Sequence, residues 1–352
     1  MSTLSETAYF GRRAIKYGAI TLIVLLILKF AYGILLNYWK AAHPSPPPPP
    51  EVKFGKLPKV LFPASRDFPL PASQLTYRLQ TIEGIPNLPD RANIYFMPQS
   101  GPNLLAADRA KEKAKKIGFS QEPTRLSTTL YRWQGRTDPP TTFELDIISN
   151  NFTLSYPYQE DQSLLTNNTL SQSQVASLAK NFLATLESLP SDLDIDQMKV
   201  EFFKFQQGNL VPVIALSETQ VARVNFFRKS LDELPILPPN PKKSLITFLI
   251  TNSTDPNKKM VEANYTYNQI ERETFSTYPL KSSAQAWQEL QAGQGYIANL
   301  GNNQEGEITI RRIYLAYFES EQPQKFLQPI FVFEGDNSFY AYVSAVEPTM
   351  TE

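Results

Sequence analysis

A long apolar segment near the N-terminus constrains this chain more than any other feature. Residues 17–39 form an almost uninterrupted apolar run, and as a helix they would measure about 34 Å at a rise of about 1.5 Å per residue. That length crosses a bilayer core of about 30 Å. Aromatic residues of the kind that anchor helices at membrane interfaces lie at both ends, Tyr17 at one and Tyr38 and Trp39 at the other. The sequence therefore predicts a single transmembrane helix over residues 17–39.

Basic residues flank this segment unevenly. Arg12, Arg13 and Lys16 precede it, whereas a single lysine follows it before Lys53. Because basic residues are retained on the cytoplasmic side, we expect residues 1–16 to be a cytoplasmic tail and the C-terminal part to be an extracytoplasmic domain at the cell membrane. A cleaved signal peptide would have a shorter apolar stretch and small residues at its cleavage site, and YWKAAHP is a poor site.

Lys29 places a positive charge near the middle of the predicted span. A lysine at this depth costs about 2.5–3.5 kcal/mol on insertion scales, which the apolar neighbours outweigh. Two interpretations stay open: the membrane tolerates the charge with local water penetration, or a partner helix supplies an Asp or Glu at the same depth. Gly33 lies one turn along the same face and would allow such a helix to approach closely. The second interpretation predicts a membrane protein partner, with a homo-oligomer as the alternative.

A proline-rich linker follows over residues 40–59. It contains five consecutive prolines, Pro46 to Pro50, and such runs adopt an extended polyproline II helix with a rise of about 3.1 Å per residue. By this rise, residues 41–59 would span up to about 55 Å. We therefore expect a stiff stalk that holds the folded C-terminal part away from the membrane.

The remainder of the chain has the pattern of an α+β fold. Runs such as TTLYRWQ and TFELDIIS alternate apolar and polar residues and are separated by turn residues, which is typical of antiparallel strands. We expect an ectodomain of antiparallel β-meanders, each packed by a helix. Its predicted units are residues 60–165 and residues 166–352, with a further division near residue 240.

Three helices of this domain are predicted from their caps and apolar spacing. Asn103 precedes a segment in which Ala106, Ala110 and Ala114 repeat at helical intervals. Ser173 and Ser283 are the predicted N-caps of the other two, because each precedes a further helical pattern of apolar residues.

The last helix and strands resemble those of a known family. The helix AQAWQELQAG and the runs IRRIYLAYFES, KFLQPIFVFEG and FYAYVSAV lie within residues 278–346. They are similar to the C-terminal part of the YycH and YycI proteins, which are single-pass, extracytoplasmic regulators of a bacterial sensor histidine kinase; PepSY-type domains are also similar. The resemblance implies a bacterial protein whose single helix helps to regulate another membrane protein, and it carries over no catalytic residues.

Composition excludes several classes of function. The 34 basic and 34 acidic residues balance, so the sequence does not indicate a nucleic-acid binder. The chain has no cysteine and a single histidine, His43 in the proline-rich linker, which removes thiolate chemistry and most hydrolase mechanisms. Asp192, Asp194 and Asp196 alternate as in a calcium loop, but the glycine and the bidentate glutamate of such a loop are missing. We expect no metal, no cofactor and no catalytic site.

The predicted partner-binding residues are Lys29 and Gly33 in the helix and Tyr314, Tyr317 and Phe318 in a late strand. The three aromatic residues give bulk to both faces of that strand, so one face could belong to the core and the other to a partner site.

The leading hypothesis is a non-catalytic binding or regulatory component of a bacterial membrane protein complex, anchored in the membrane with an extracytoplasmic domain. The alternative is a structural scaffold of the envelope, such as a secretion or pilus accessory protein. A third hypothesis, a sugar-active enzyme, would need paired carboxylates such as Glu271 and Glu273 in a pocket.

Overall fold

The computed structural model describes most of the chain, in two units. The described residues are 4–42, 48–63, 75–101, 103–164, 171–206, 209–303 and 306–352. The units are a helical unit, residues 1–49, and a β-rich unit, residues 50–352. His43 and three prolines of the predicted stalk, Pro44, Pro46 and Pro47, lie outside the described residues, so that part of the stalk stays a prediction. Residues 50–59 belong to the β-rich unit, where Leu57 is fully buried, so the stalk does not extend to residue 59 as expected.

The helical unit is formed by a single helix, α1 (Leu4–Ala42). Its segment Tyr9–Trp39 reaches a mean hydropathy of 2.5 over an 18-residue window, and none of that window is buried. In the described part of the chain, α1 is the one helix that is long and apolar enough to cross a membrane. The helix also includes residues 9–16, so it begins well before the predicted span.

The β-rich unit has an α+β fold, as the sequence predicts. Its α-helices, among the described residues, are α2 (Ala106–Lys116), α3 (Gln172–Thr185) and α4 (Ser283–Gln291). Its strands are β1 (Thr76–Leu79), β2 (Arg91–Phe96), β3 (Thr124–Arg125), β4 (Leu130–Gln134), β5 (Thr142–Asp146), β6 (Phe152–Ser155), β7 (Lys199–Gln206), β8 (Asn209–Pro212), β9 (Val221–Asn225), β10 (Ile236–Leu237), β11 (Ile246–Thr251), β12 (Met260–Tyr265), β13 (Glu271–Pro279), β14 (Tyr296–Asn299), β15 (Glu307–Phe318), β16 (Phe326–Gly335) and β17 (Phe339–Ser344).

An eight-stranded sheet and α4 form what we call the first lobe. The sheet has the order β1–β15–β16–β17–β14, and β2, β10 and β13 extend it. The long strands β15, β16 and β17 pair antiparallel, with Phe331 opposite Leu315 and Val343. β1 and β10 instead run parallel to β15, because both reach it through long connections rather than hairpins. The sheet is therefore mixed, which corrects the expectation of purely antiparallel meanders.

A nine-stranded sheet with α2 and α3 forms the second lobe. Its order is β3–β4–β5–β6–β12–β11–β9–β7–β8, and all of its pairs are antiparallel. The runs TTLYRWQ and TFELDIIS form the antiparallel strands β4 and β5, as predicted, and β6 continues the meander.

Helices cover one face of each sheet. α2 buries Ala110 and Ala114, and α3 buries Val175, Ala179 and Leu183, in the core above the nine-stranded sheet. α4 packs in the same way on the eight-stranded sheet. Because side chains alternate along a strand, every second side chain points to the opposite face, and no described α-helix packs on that face of either sheet.

The two lobes interleave along the chain. All nine strands of the second lobe lie between β2 and β13, and β10 of the first lobe lies within that stretch. The structure thus differs from the predicted units 60–165 and 166–352, since β6 from the first range pairs with β12 from the second. The sequence order of helix and meander does not reveal this pairing, because strands far apart in the chain join the same sheet.

All three predicted helices form, but each has a different N-cap from the one expected. Leu105, not Asn103, is the N-cap of α2, and the Asn103 side chain instead accepts a hydrogen bond from the backbone N–H of Leu105. Ser171, not Ser173, caps α3, and its hydroxyl accepts a hydrogen bond from the backbone N–H of Gln174. Ser282, not Ser283, caps α4. In both cases only the earlier serine has a glutamine three residues later, which is the spacing of a capping box.

Candidate functional site

The residues predicted on the helix lie on one face of α1. Lys29 is exposed, and Gly33 follows it one turn later, so the two positions share a face. A Cβ atom placed on Gly33 would meet no atom within 4 Å. Leu25 and Leu36 continue the same face with exposed apolar side chains. The face is therefore mostly apolar, with one positive charge near the middle of the helix.

The aromatic residues predicted on the late strand are not an exposed patch. Tyr317 is fully buried and Phe318 is 1% exposed, which corrects the expectation that they form a partner surface. The Tyr317 hydroxyl donates to the backbone carbonyl of Asn93 at 3.0 Å, and the Phe318 ring packs edge-on against Phe62 at 4.9 Å. Both side chains are core residues because β15 lies inside its sheet and is covered on both faces.

Tyr314 is the half-buried member of this group. It shares a face of β15 with Phe318, whereas Tyr317 points to the other face. The guanidinium of Arg312 lies 5.1 Å from the centre of the Tyr314 ring, and burial raises the pKa of the Tyr314 hydroxyl. Tyr314 alone does not form a partner surface, so these aromatic residues explain folding better than binding.

A cleft of about 1380 Å³ lies between the two lobes of the β-rich unit. One wall is the helix-free face of the nine-stranded sheet, represented by Thr247 on β11 and by Glu262 and Asn264 on β12. The other wall is the helix-free face of the eight-stranded sheet, represented by Tyr296 and Gln328. We call this space the interlobe cleft.

An aromatic group forms part of the interlobe cleft. The segment 58–63 runs along the cleft and places the Phe62 ring parallel to Tyr296, with ring centres 5.2 Å apart. Phe318 packs edge-on beneath this pair. The cleft thus has an apolar side on the first lobe.

Polar side chains lie on both walls of the cleft. The Asn264 amide donates to the Glu262 carboxylate at 2.7 Å, which fixes the orientation of both groups. On the first lobe, the Gln328 amide nitrogen donates to the Pro58 carbonyl at 2.8 Å, while its Oε1 accepts no hydrogen bond within the described residues. The cleft can therefore offer amide donors and acceptors together with aromatic rings to a ligand.

A buried ion cluster joins the two lobes. Arg228, which follows β9, donates to Asp192 of its own lobe and to Glu319 of the first lobe, with Nη1 and Oε1 2.6 Å apart. The Tyr267 hydroxyl donates to Asp192 at 3.1 Å, and its ring centre lies 4.6 Å from the guanidinium carbon. The three ionic side chains are between 3% and 10% exposed, so water does not screen their charges.

The surroundings raise the pKa of both Glu319 and Arg228, but for different reasons. Burial raises the pKa of Glu319, and the nearby Arg228 only partly offsets this. Burial by itself lowers the pKa of Arg228, but Glu319 and Asp192 outweigh burial and hold it above the ordinary value. Arg228 therefore stays positively charged and links carboxylates from both lobes.

Neither feature resembles a metal centre. Among the described residues, no group of three or more His, Cys, Asp or Glu side chains is placed to hold a metal ion. Asp192, the first acid of the alternating acidic turn, bonds to Arg228 instead of facing an open loop. The segment forms an acidic turn before β7. Glu271 and Glu273 lie on β13 and do not line the interlobe cleft.

Comparisons with known proteins identify no family. No protein-family model matches the chain, and no curated protein matches it. Among solved structures, a crystal structure of an uncharacterized protein from Eubacterium rectale ATCC 33656 covers 73% of this chain and 82% of its own, with 12% sequence identity and a TM-score of 0.39. A TM-score of this size supports no conclusion about function. The resemblance to the YycH and YycI proteins therefore stays a prediction.

The sequence did not reveal the interlobe cleft or the ion cluster. Arg228 lies 36 residues from Asp192 and 91 residues from Glu319, so no local pattern connects them. In the sequence, the polar residues of the cleft have the pattern of solvent-facing residues on ordinary strands. Only the arrangement of the two sheets makes them face a common space.

Proposed function

We propose that this protein is a single-pass membrane protein of a bacterial envelope, with its β-rich unit outside the cytoplasm. In this proposal it acts by binding, as a non-catalytic, regulatory component of a membrane protein complex. The observation that carries the proposal is α1, which exposes an apolar surface over Tyr9–Trp39 with Lys29 as its central charge. The uneven flanking charges support the orientation.

The partner that fits this face is a helix of another membrane protein with an Asp or Glu at the depth of Lys29. A carboxylate there would neutralise the ammonium group where water is scarce, and the open space at Gly33 would allow close approach. A second, parallel copy of α1 fits this face poorly. It would place two lysines side by side in a medium where like charges repel strongly.

A residue exchange tests this proposal. In the double variant Leu28→Lys and Lys29→Leu, the composition, the charge and nearly the depth are retained, but the lysine rotates by about 100° around the helix. We expect membrane insertion to be unchanged and cross-linking to the partner, from a photoreactive residue at Leu25, to fall about tenfold or more. Mass spectrometry should identify the partner as a protein with an acidic residue within a membrane helix.

The matched control is Lys29→Arg, which keeps the charge on the original face and should retain most of the cross-link. Equal cross-linking in the exchange variant and the original chain would contradict a face-specific contact. If a polyleucine replacement of residues 17–39 also kept full function, α1 would be only an anchor, and the scaffold hypothesis would take its place.

A further inference from the structure

The interlobe cleft has a lining that suits an uncharged, hydroxyl-rich ligand. Ten of the residues that line it are Asn, Gln, Ser or Thr, which have uncharged amide or hydroxyl side chains, and the charged ones are three lysines and two glutamates. Amides and hydroxyls both donate and accept hydrogen bonds, as sugar hydroxyls do. No arginine is among the described lining residues, whereas arginine is the usual ligand of phosphates and carboxylates.

The aromatic side of the cleft adds a second kind of contact. Phe62 and Tyr296 stack with their planes 3° apart, which gives the first lobe a flat, rigid apolar element beside the polar wall. Sites for organic ligands combine aromatic side chains with a few well-placed polar groups. A pyranose ring has the same division, with C–H groups on its faces and hydroxyls around its edge.

Gln328 provides an independent observation. Its side chain lines the cleft and is 5% exposed, and the hydrogen bond to the Pro58 carbonyl fixes which end of the amide is the oxygen. That oxygen is buried and accepts no hydrogen bond among the described residues. A buried acceptor without a donor is destabilising, and a ligand hydroxyl would supply the donor that it lacks.

We infer that the interlobe cleft is a binding site for a neutral glycan chain. The volume of about 1380 Å³ exceeds the range of about 300–1,000 Å³ that is typical of sites for small ligands, so the site suits several linked sugar units. Asn264 and Glu262 bind hydroxyls from the second lobe, and Gln322 and Gln328 bind them from the first. This inference is independent of the proposed membrane partner.

Calorimetry with the full chain in lipid nanodiscs tests the inference and avoids sugar-based detergents. The probes are β-1,4-linked hexamers of glucose and of N-acetylglucosamine, with a galacturonate hexamer as an anionic probe and an unstructured hexapeptide as a peptide probe. We expect at least one neutral hexamer to bind. Asn264→Ala and Gln322→Ala, from opposite walls, should each weaken binding about five- to tenfold, which corresponds to the loss of one hydrogen bond.

The matched control is Asn209→Ala, which removes the same side chain from β8 outside the cleft and should leave affinity unchanged. Thermal unfolding of each variant shows that the fold is retained. The inference is overturned if no neutral hexamer binds at about 10 mM, if both cleft variants bind as well as the original chain, or if only the galacturonate or the peptide probe binds.

Discussion

At the scale of single residues, Arg228 links the two lobes through a buried ion cluster. It is the cation between two buried carboxylates, Asp192 and Glu319, that come from different lobes. A buried ion pair adds little stability compared with an apolar substitute, but removing one partner leaves the other charged and unsolvated. Arg228 neutralises two such charges, so its loss is more costly than the loss of either acid.

We predict that Arg228→Met lowers the free energy of unfolding of the β-rich unit by about 3–5 kcal/mol at neutral pH. Methionine fills much of the volume but leaves both carboxylates without a cation. Urea unfolding of the full chain, followed by circular dichroism, measures the change. Arg311→Met is the matched control, because Arg311 forms an exposed pair with Asp336, and exposed ion pairs contribute little to stability, so its loss should lower the free energy of unfolding far less. Equal effects of the two substitutions would show that the buried cluster has no special role.

At the scale of secondary-structure elements, local sequence patterns predicted the helices well, whereas the pairing of distant strands was not predicted. The alanine spacing of α2 and the apolar face of α3 follow from helical periodicity, and both are buried as that periodicity requires. The caps of α3 and α4 could have been placed correctly from the glutamine three residues after each serine. The parallel pairing of β1 and β10 with β15 could not have been predicted, since it depends on long connections that carry no sequence signal.

The cap of α3 gives a direct test at this scale. Ser171→Ala removes the hydroxyl that accepts from Gln174 and should lower the free energy of unfolding by about 1 kcal/mol. Ser173→Ala, two residues later, removes a serine inside the helix and should change it by less than about 0.5 kcal/mol. Urea unfolding of both variants compares them, and a larger loss for Ser173→Ala would contradict the observed cap.

At the scale of the whole molecule, the two lobes of the β-rich unit create features that neither has alone. The interlobe cleft takes its walls from the helix-free faces of both sheets, and the ion cluster takes its carboxylates from both lobes. Apart from Asp192, which belongs to the alternating acidic segment, and Phe318, these residues did not stand out in the sequence, because each has the pattern of an ordinary polar residue of its strand or loop. Tyr317 and Phe318 stood out for their size and are core residues. The residues that were most conspicuous in the sequence thus belong to the core, whereas most of the candidate binding residues were inconspicuous.

We propose that α1 remains in the membrane and holds the β-rich unit outside the cytoplasm. The chain has no cysteine, so a single introduced cysteine can be labelled without background by a membrane-impermeant maleimide in intact cells. We predict that Lys115→Cys, at an exposed position of α2, is labelled in intact cells, and that Thr3→Cys is labelled only after the membrane is permeabilised. Labelling of Thr3→Cys alone in intact cells, or recovery of a soluble chain trimmed after Trp39, would contradict the claim.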